Sequence, residues 1–389
     1  MHIAIDCRWI RSKSIDGIGR YTINISKELI NQYKNSRVTL IFNDEEIERW
    51  VCEKLEVKDK KNVYTYQLSY PVMDMWDMIC PGIDIAKISP DVLVEPNYIT
   101  GAFHWSYDTV SVVHDLTQVM YFDELCTKWK TRLLWGTPFF LSTFFSLASR
   151  IIAVSQHTRK DLLKLFDSDF FKVSPSKVRV VHEGVAPHFQ ESASKDELER
   201  VKEKYGIPNE YVLCVSRQQS YKNLDGLVEA YRLLPDAVTD QYKLVLTGSF
   251  NEEWTPKLKG SVKDLIEDRS IVFTGFVDDE DLPAVYQGAT LFCLPSKYEG
   301  FGLPLLEAMA SNCPIASSDR ASLPEVAGDA AVYFDPEDVE DIARTLEDLL
   351  NSPERRNELV RIGRDRMKQF SWEEAALDIL SVCKEVGPT

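Results

Sequence analysis

Short apolar runs, three to five residues long, recur along this chain in two successive arrays, and they limit the folds open to it. The first array comprises 3–6, 38–42, 92–95, 110–114, 151–154 and 178–182, each separated from the next by a stretch of helical pattern. The second comprises 211–215, 244–247, 271–274, 291–295, 314–316 and 331–334. Unbroken hydrophobicity, as opposed to strict alternation, marks strands buried on both faces, the condition of a parallel sheet covered by helices. Two such arrays predict an α/β chain of two doubly wound, Rossmann-like domains facing across a cleft. A length of 389 residues gives each domain enough chain for its own core. The expected division is 1–190 for an acceptor-side domain and 191–370 for a nucleotide-binding one, with the polar stretch 186–208, which holds Pro187 and Pro208, as the join. Ligands of such sheets lie outside the carboxyl ends of the strands, so the loops that follow strands are where chemistry is expected.

The loop after 290–295 is the most informative of these. It reads Glu-Gly-Phe-Gly-Leu-Pro-Leu-Leu-Glu from Glu299 to Glu307 and leads into a helix predicted over 305–310. Pro304 suits the first helical turn, where no N–H is needed. Backbone N–H groups at such a loop and first turn point outward and, with the helix dipole, make a site for an anion or a hydroxyl. One glutamate precedes the loop and the other lies inside the helix, so they can face different parts of an elongated ligand such as a nucleotide sugar. The plainer alternative is a glycine turn with two solvated glutamates. Upstream, the run 211–215 ends in Ser216-Arg217, and Lys222-Asn223 stands at the start of a predicted helix. A planar guanidinium and a compact ammonium just beyond a strand's carboxyl end are placed to grip a diphosphate. The alternative there is an exposed basic pair on a loop. Gly17 and Gly19 follow the first strand and let backbone approach a ligand, although the third glycine of a dinucleotide fingerprint is missing. His114 ends the fourth apolar run, where a side chain enters the cleft or is satisfied as a structural residue.

In combination these segments resemble glycosyltransferase family four. The resemblance rests on Ser216-Arg217 with Lys222-Asn223, on Phe-Thr-Gly-Phe-Val at 273–277, on the run 298–310 and on Ser-Leu-Pro-Glu-Val-Ala-Gly-Asp-Ala-Ala at 322–331. It reaches the front half through Gly-Ile-Gly-Arg-Tyr at 17–21, Val-His-Asp-Leu at 113–116, Ala-Val-Ser at 153–155 and Glu-Gly-Val at 183–185. It implies a retaining enzyme of GT-B fold that takes a nucleotide sugar and needs neither cofactor nor metal. Glu299, His114, Arg217 and Lys222 are then the catalytic residues. Gly17, Gly19, Ser216, Phe276, Val277, Phe301, Gly302, Leu303 and Glu307 are the donor-binding set. Within that set Glu307 would take the ribose hydroxyls, the backbone of Phe301, Gly302 and Leu303 would serve sugar or phosphate, and the Phe276-Val277 backbone would read the base edge. The family also implies that the segment 371–389 crosses back to the first domain and that attack is front-face. The run 275–335 resembles bacterial mannosyltransferases of O-antigen and polysaccharide synthesis. GDP-mannose is therefore the expected donor, a UDP-hexose the alternative, and a glycan or lipid-linked saccharide the acceptor.

Charge and cysteine usage narrow the class further. Residues 1–190 hold 23 Lys and Arg against 23 Asp and Glu, so the net charge of -16 lies entirely in the second half. That acidity and the lack of a binding motif disfavour a nucleic-acid partner. The stretch 128–179 carries ten basic residues and three acidic ones, with Trp129, Trp135, Phe139, Phe140, Phe144 and Phe145 interleaved. Such a stretch suits peripheral contact with an anionic membrane, and the alternative is a helix packing its aromatics into the core. Eight cysteines are scattered without metal spacing and read as reduced core residues of a cytoplasmic protein. No apolar run approaches the roughly 20 residues of a membrane span. Two rival functions remain, a nucleotide-sugar 2-epimerase of the same architecture and a non-catalytic nucleotide-sugar-binding scaffold. The joint presence of Arg217, Lys222, Glu299 and Glu307 weighs against both.

Overall fold

The computed structural model describes residues 1–12, 16–34, 36–70, 72, 80–98, 106–125, 138–167 and 172–387. The chain divides into two units, Met1–Gly184 with Ser371–Thr389, and Val185–Phe370. The first unit is built on seven strands: β1 (Ile3–Asp6), β2 (Val38–Phe42), β3 (Val63–Gln67), β4 (Val92–Glu95), β5 (Asp108–Val113), β6 (Arg150–Ala153) and β7 (Val178–Val180). They pair in parallel in the order β3-β2-β1-β4-β5-β6-β7. The second unit holds β8 (Tyr211–Val215), β9 (Lys243–Thr247), β10 (Ile271–Gly275), β11 (Leu291–Leu294), β12 (Ile315–Ser318) and β13 (Ala331–Phe334). These are also parallel, in the order β10-β9-β8-β11-β12-β13.

Burial explains why the strands were readable. The strands β1, β2, β4, β11 and β12 are buried at every residue, as their unbroken apolar runs require. The apolar runs missed β3. Its residues, Val-Tyr-Thr-Tyr-Gln, sit at the sheet edge with β2 as their single partner and are half-buried or exposed. An edge strand need not be apolar throughout. His114 consequently follows the fifth strand of this unit, and not the fourth.

The division between units falls at 184/185, six residues before the expected 190/191. Three of the six displaced residues, Val185, Ala186 and Phe189, are buried. Phe189 is fully buried and stands edge-on to Tyr286 with ring centroids 6.0 Å apart, and Gln287 Oε1 accepts from the Ala193 N–H at 2.8 Å. The rest of the supposed join contains a helix, Lys195–Tyr205, capped by Ser194 at one end and by left-handed Gly206 at the other. At the far end, Ser371 caps the helix Trp372–Val386 by accepting from the N–H groups of Glu373 and Glu374. Trp372 meets Tyr21 edge-on at 5.6 Å, and Glu385 accepts from both Arg150 and Arg179. Gly184 packs so closely on this helix start that a Cβ there would lie 2.3 Å from the Trp372 nitrogen.

In each sheet the winding reverses once, between β1 and β4 in the first unit and between β8 and β11 in the second. At such a reversal the loops leaving the two neighbouring strands diverge and leave a crevice at their carboxyl ends. Of the basic, aromatic stretch, residues 128–137 and 168–171 and the side chains of 138–140 lie outside the described residues. Phe144 and Phe145 are buried in the first unit's core. Among the described residues no helix is long and apolar enough to cross a membrane.

Candidate active site

The β8/β11 reversal brings together two of the residues singled out in the sequence. The loop leaving β8 carries Arg217 and a short helical turn, Ser220–Lys222, and the loop leaving β11 carries Ser296 to Glu299. Main chain ties the loops to each other, since Lys297 N–H donates to the Tyr221 carbonyl at 2.8 Å. Across that seam Lys222 Nζ donates to both Glu299 oxygens, each at 2.8 Å, and Ser296 Oγ donates to Oε1 at 2.8 Å. The Lys222 ammonium also lies 4.9 Å from the centre of the Tyr221 ring. Both charged side chains are nearly dry, at 15% and 13% exposure, whereas Arg217 is exposed. Asn223 closes the first loop in the left-handed region, φ 56°, and anchors it by donating to the Pro336 carbonyl at 2.7 Å. Behind these loops, burial pushes the Cys214 thiol up to about 12, so it is an inert packing group. The cysteines among the described residues are all unpaired.

The glycine loop itself is held from below. Ser322, fully buried, has its hydroxyl within reach of two loop carbonyls, Glu299 at 2.9 Å and Phe301 at 2.8 Å. Gly302 sits at φ 101° as the residue before the helix Leu303–Ala310, and a Cβ there would come within 2.8 Å of Leu323. This left-handed residue turns the chain so that Leu303 opens the helix, with Pro304 in its first turn. Glu307 lies inside that helix, buried, and accepts from Tyr286 Oη at 2.9 Å. Phe276 is exposed and Val277 buried just past β10, beyond Gly275 at φ 72°. Ser216 ends the β8 side, its N–H donating to the Thr247 carbonyl at 2.8 Å. Tyr221, Tyr286, Ser296 and Ser322 were assigned no role from sequence. Their only signal was position: Tyr221 directly before Lys222, Ser296 three residues before Glu299, and Ser322 heading the motif at 322–331.

The first unit treats its three candidates differently from the expectation. Gly17 opens the helix Gly17–Gln32 and is exposed, and a Cβ on it would meet nothing within 4 Å. The Gly19 N–H is not held for a ligand, because the capping Asp16 carboxylate already accepts from it at 2.8 Å. His114 likewise has both ring nitrogens engaged, Nδ1 with Glu183 Oε1 and Nε2 with the Pro96 carbonyl, each at 2.9 Å. Both partners are acceptors, so both nitrogens must donate, which only the imidazolium can do. Burial opposes that charge, but the hydrogen bond and charge of Glu183, the charge of Asp115 and the Pro96 carbonyl outweigh it and raise the pKa. Tyr21 stands edge-on to the imidazole at 4.6 Å. Both ring nitrogens of His114 and one edge of its ring thus have partners within the chain. Among the described residues no three His, Cys, Asp or Glu side chains cluster as a metal site would require.

All the second-unit residues of this site lie inside 196–366, the segment matched by the family model described as glycosyl transferases group 1. Curated relatives of the chain include the serotype-specific mannosyltransferase WbdA of Escherichia coli, 29% identical over 97% of the chain and 47% of the relative. O-antigen chain mannosyltransferase B of Escherichia coli is 33% identical over 61% of each. The chain thus spans less than two thirds of the length of either relative. Among solved structures, HepE of Anabaena in complex with UDP and glucose superposes with a TM-score of 0.76 at 16% identity, over 99% of both chains. Sucrose-phosphate synthase of Thermosynechococcus elongatus gives 0.76 at 18% identity, over 99% of this chain and 98% of that one. Identities this low speak for the fold alone, and that fold is GT-B.

Proposed function

We propose that this protein is a retaining glycosyltransferase that moves mannose from GDP-mannose onto a glycan or lipid-linked saccharide without a divalent metal. One observation carries the reading: Lys222 and Glu299 are paired beside Arg217 at the strand reversal of a group 1 domain. The choice of sugar is supported by the relatives, both named as mannosyltransferases.

Glycosyl transfer breaks the bond between the anomeric carbon and the diphosphate, building positive charge on the sugar ring and negative charge on the leaving phosphate. Arg217 and Lys222 would stabilise that negative charge, in the place where fixed cations lower the barrier most. Lys222 is held by Glu299. An incoming diphosphate competes for the ammonium, and Glu299 is then released to accept from sugar hydroxyls. Glu307, oriented by Tyr286, would hold the ribose hydroxyls, and the N–H groups of the loop and first helical turn would meet the sugar or phosphate. In front-face attack the acceptor oxygen bonds to the anomeric carbon on the face that the diphosphate leaves, and the departing phosphate takes the acceptor's proton. The products are a glycoside and GDP, with configuration kept.

Calorimetric titration with GDP, UDP and ADP and their common sugars, first in EDTA and then with magnesium, tests the donor. GDP-mannose should bind in EDTA, and Lys222→Ala and Glu299→Ala should each abolish transfer of labelled mannose from it. Preference for UDP would replace the donor. Turnover surviving in either variant would sink the site assignment.

A further inference from the structure

Strand β9 lies between β8 and β10, so the turn that leaves it passes between two loops already assigned to the donor: Ser216-Arg217 after β8 and Gly275 to Val277 after β10. That turn is pinned on both sides. Towards β8 the backbones touch, for a Cβ on Gly248 would lie 1.9 Å from the Ser216 carbonyl oxygen. Towards β10, Gly248 N–H donates to the Gly275 carbonyl at 3.0 Å, and the Thr247 and Thr274 hydroxyls are 3.0 Å apart. Two residues beyond Gly248, Phe250 is 65% exposed, and Phe276, directly after Gly275, is 41% exposed. Among the described residues of the second unit the only other large apolar side chain so exposed is Leu233. Two phenylalanines held in water at the carboxyl ends of neighbouring strands, on anchored turns, lack the burial that aromatic rings normally gain on folding.

We propose that Phe250 and Phe276 form a platform on which the nucleobase of a nucleoside diphosphate stacks, its diphosphate directed toward Arg217. This rests on the donor reading above and extends it to residues and side chains that reading does not use. Every base presents a π-face, so the platform supplies affinity without choosing between guanine, uracil and adenine. Choice is left to contacts at the base edge.

The test is calorimetric titration of wild type, Phe250→Ala, Phe276→Ala and Phe250→Leu with GDP, UDP and ADP, with inorganic pyrophosphate as a control for the phosphate grip. Base–aromatic stacking of ordinary strength corresponds to about a 5- to 150-fold weakening of the nucleotide on loss of a ring. Phe250→Leu, which keeps apolar volume and loses the flat face, should fall with Phe250→Ala. Pyrophosphate affinity should stay within about twofold. Nucleotide binding preserved in both alanine variants overturns the platform and leaves the donor reading standing. Equal weakening of nucleotide and pyrophosphate also overturns it, because that marks a disturbed Arg217 loop. Failure of wild type to bind any of the three nucleotides removes the donor reading and the platform together.

Discussion

The Lys222–Glu299 pair should be worth far more when one member is removed than when both are. With the ammonium 2.8 Å from each carboxylate oxygen, the gross attraction at an effective dielectric of about 20 is roughly 6 kcal/mol. Both groups are about seven-eighths buried, so most of that attraction is spent on desolvation. Lys222→Met takes from Glu299 its ammonium partner and keeps the Ser296 hydroxyl, and Glu299→Leu takes from Lys222 its carboxylate partner and keeps the Tyr221 ring. Loss of the counter-ion in so dry a place costs on the order of 3–5 kcal/mol, and the remaining hydroxyl, ring and water contact should reduce this to about 2–4 kcal/mol. For a unit of this size that is roughly a 5–15 °C fall in melting temperature. The double variant Lys222→Met/Glu299→Leu removes both charges and should recover at least half of the loss, giving a coupling of about 2 kcal/mol or more. Scanning calorimetry of the four proteins, fitted with separate transitions for the two units, measures it. Losses that add to within about 0.5 kcal/mol would refute the claim that the two charges hold each other. The double variant should remain inactive even as its stability returns, which separates the pair's structural role from its chemical one.

Two further outcomes follow from hydrogen bonds. Ser322→Ala takes the hydroxyl away from the carbonyls of Glu299 and Phe301 and should cost about 1–3 kcal/mol in urea unfolding while weakening donor binding; an unchanged midpoint would contradict it. The second outcome concerns pH. Burial lowers the pKa of His114, but the hydrogen bond and charge of Glu183, the charge of Asp115 and the Pro96 carbonyl together raise it above its unfolded value, so its stabilisation is complete below about 6.5 and is lost as pH rises through the folded value. Melting of the first unit should therefore decline with pH above that point, and Glu183→Gln should flatten the decline. A wild-type profile as flat as that of the variant would count against the imidazolium.

What could be read from the sequence followed what burial does to composition. Strands such as Val38–Phe42 and Tyr211–Val215 stood out because almost every residue in them is buried. The strand Val63–Gln67 did not, because an edge position lets it carry tyrosine and glutamine into water. The types of residue at the donor loops were legible from local spacing. Their partners were not: 77 residues separate Lys222 from Glu299, 23 separate Ser322 from Glu299, and 69 separate His114 from Glu183. Hydrogen bonds of that sequence separation are set by strand order, which periodicity alone leaves open. The same gap explains Gly19, whose role as a capped helix residue depends on Asp16 turning its side chain back onto the N–H.

The return of Ser371–Thr389 to the unit that begins at Met1 has a consequence for synthesis on the ribosome. Chains fold largely in the order in which they emerge, at roughly 5–20 residues per second. The whole of Val185–Phe370 must be translated between the first unit's seventh strand and its last helix, a delay of roughly 10–40 s at that pace. Throughout it, the faces of Tyr21 and Gly184 that Trp372 will cover stay open to water. The first unit thus starts to emerge before the second and is completed after it, and a nascent chain should fold Val185–Phe370 before the first sheet is sealed by Trp372–Val386.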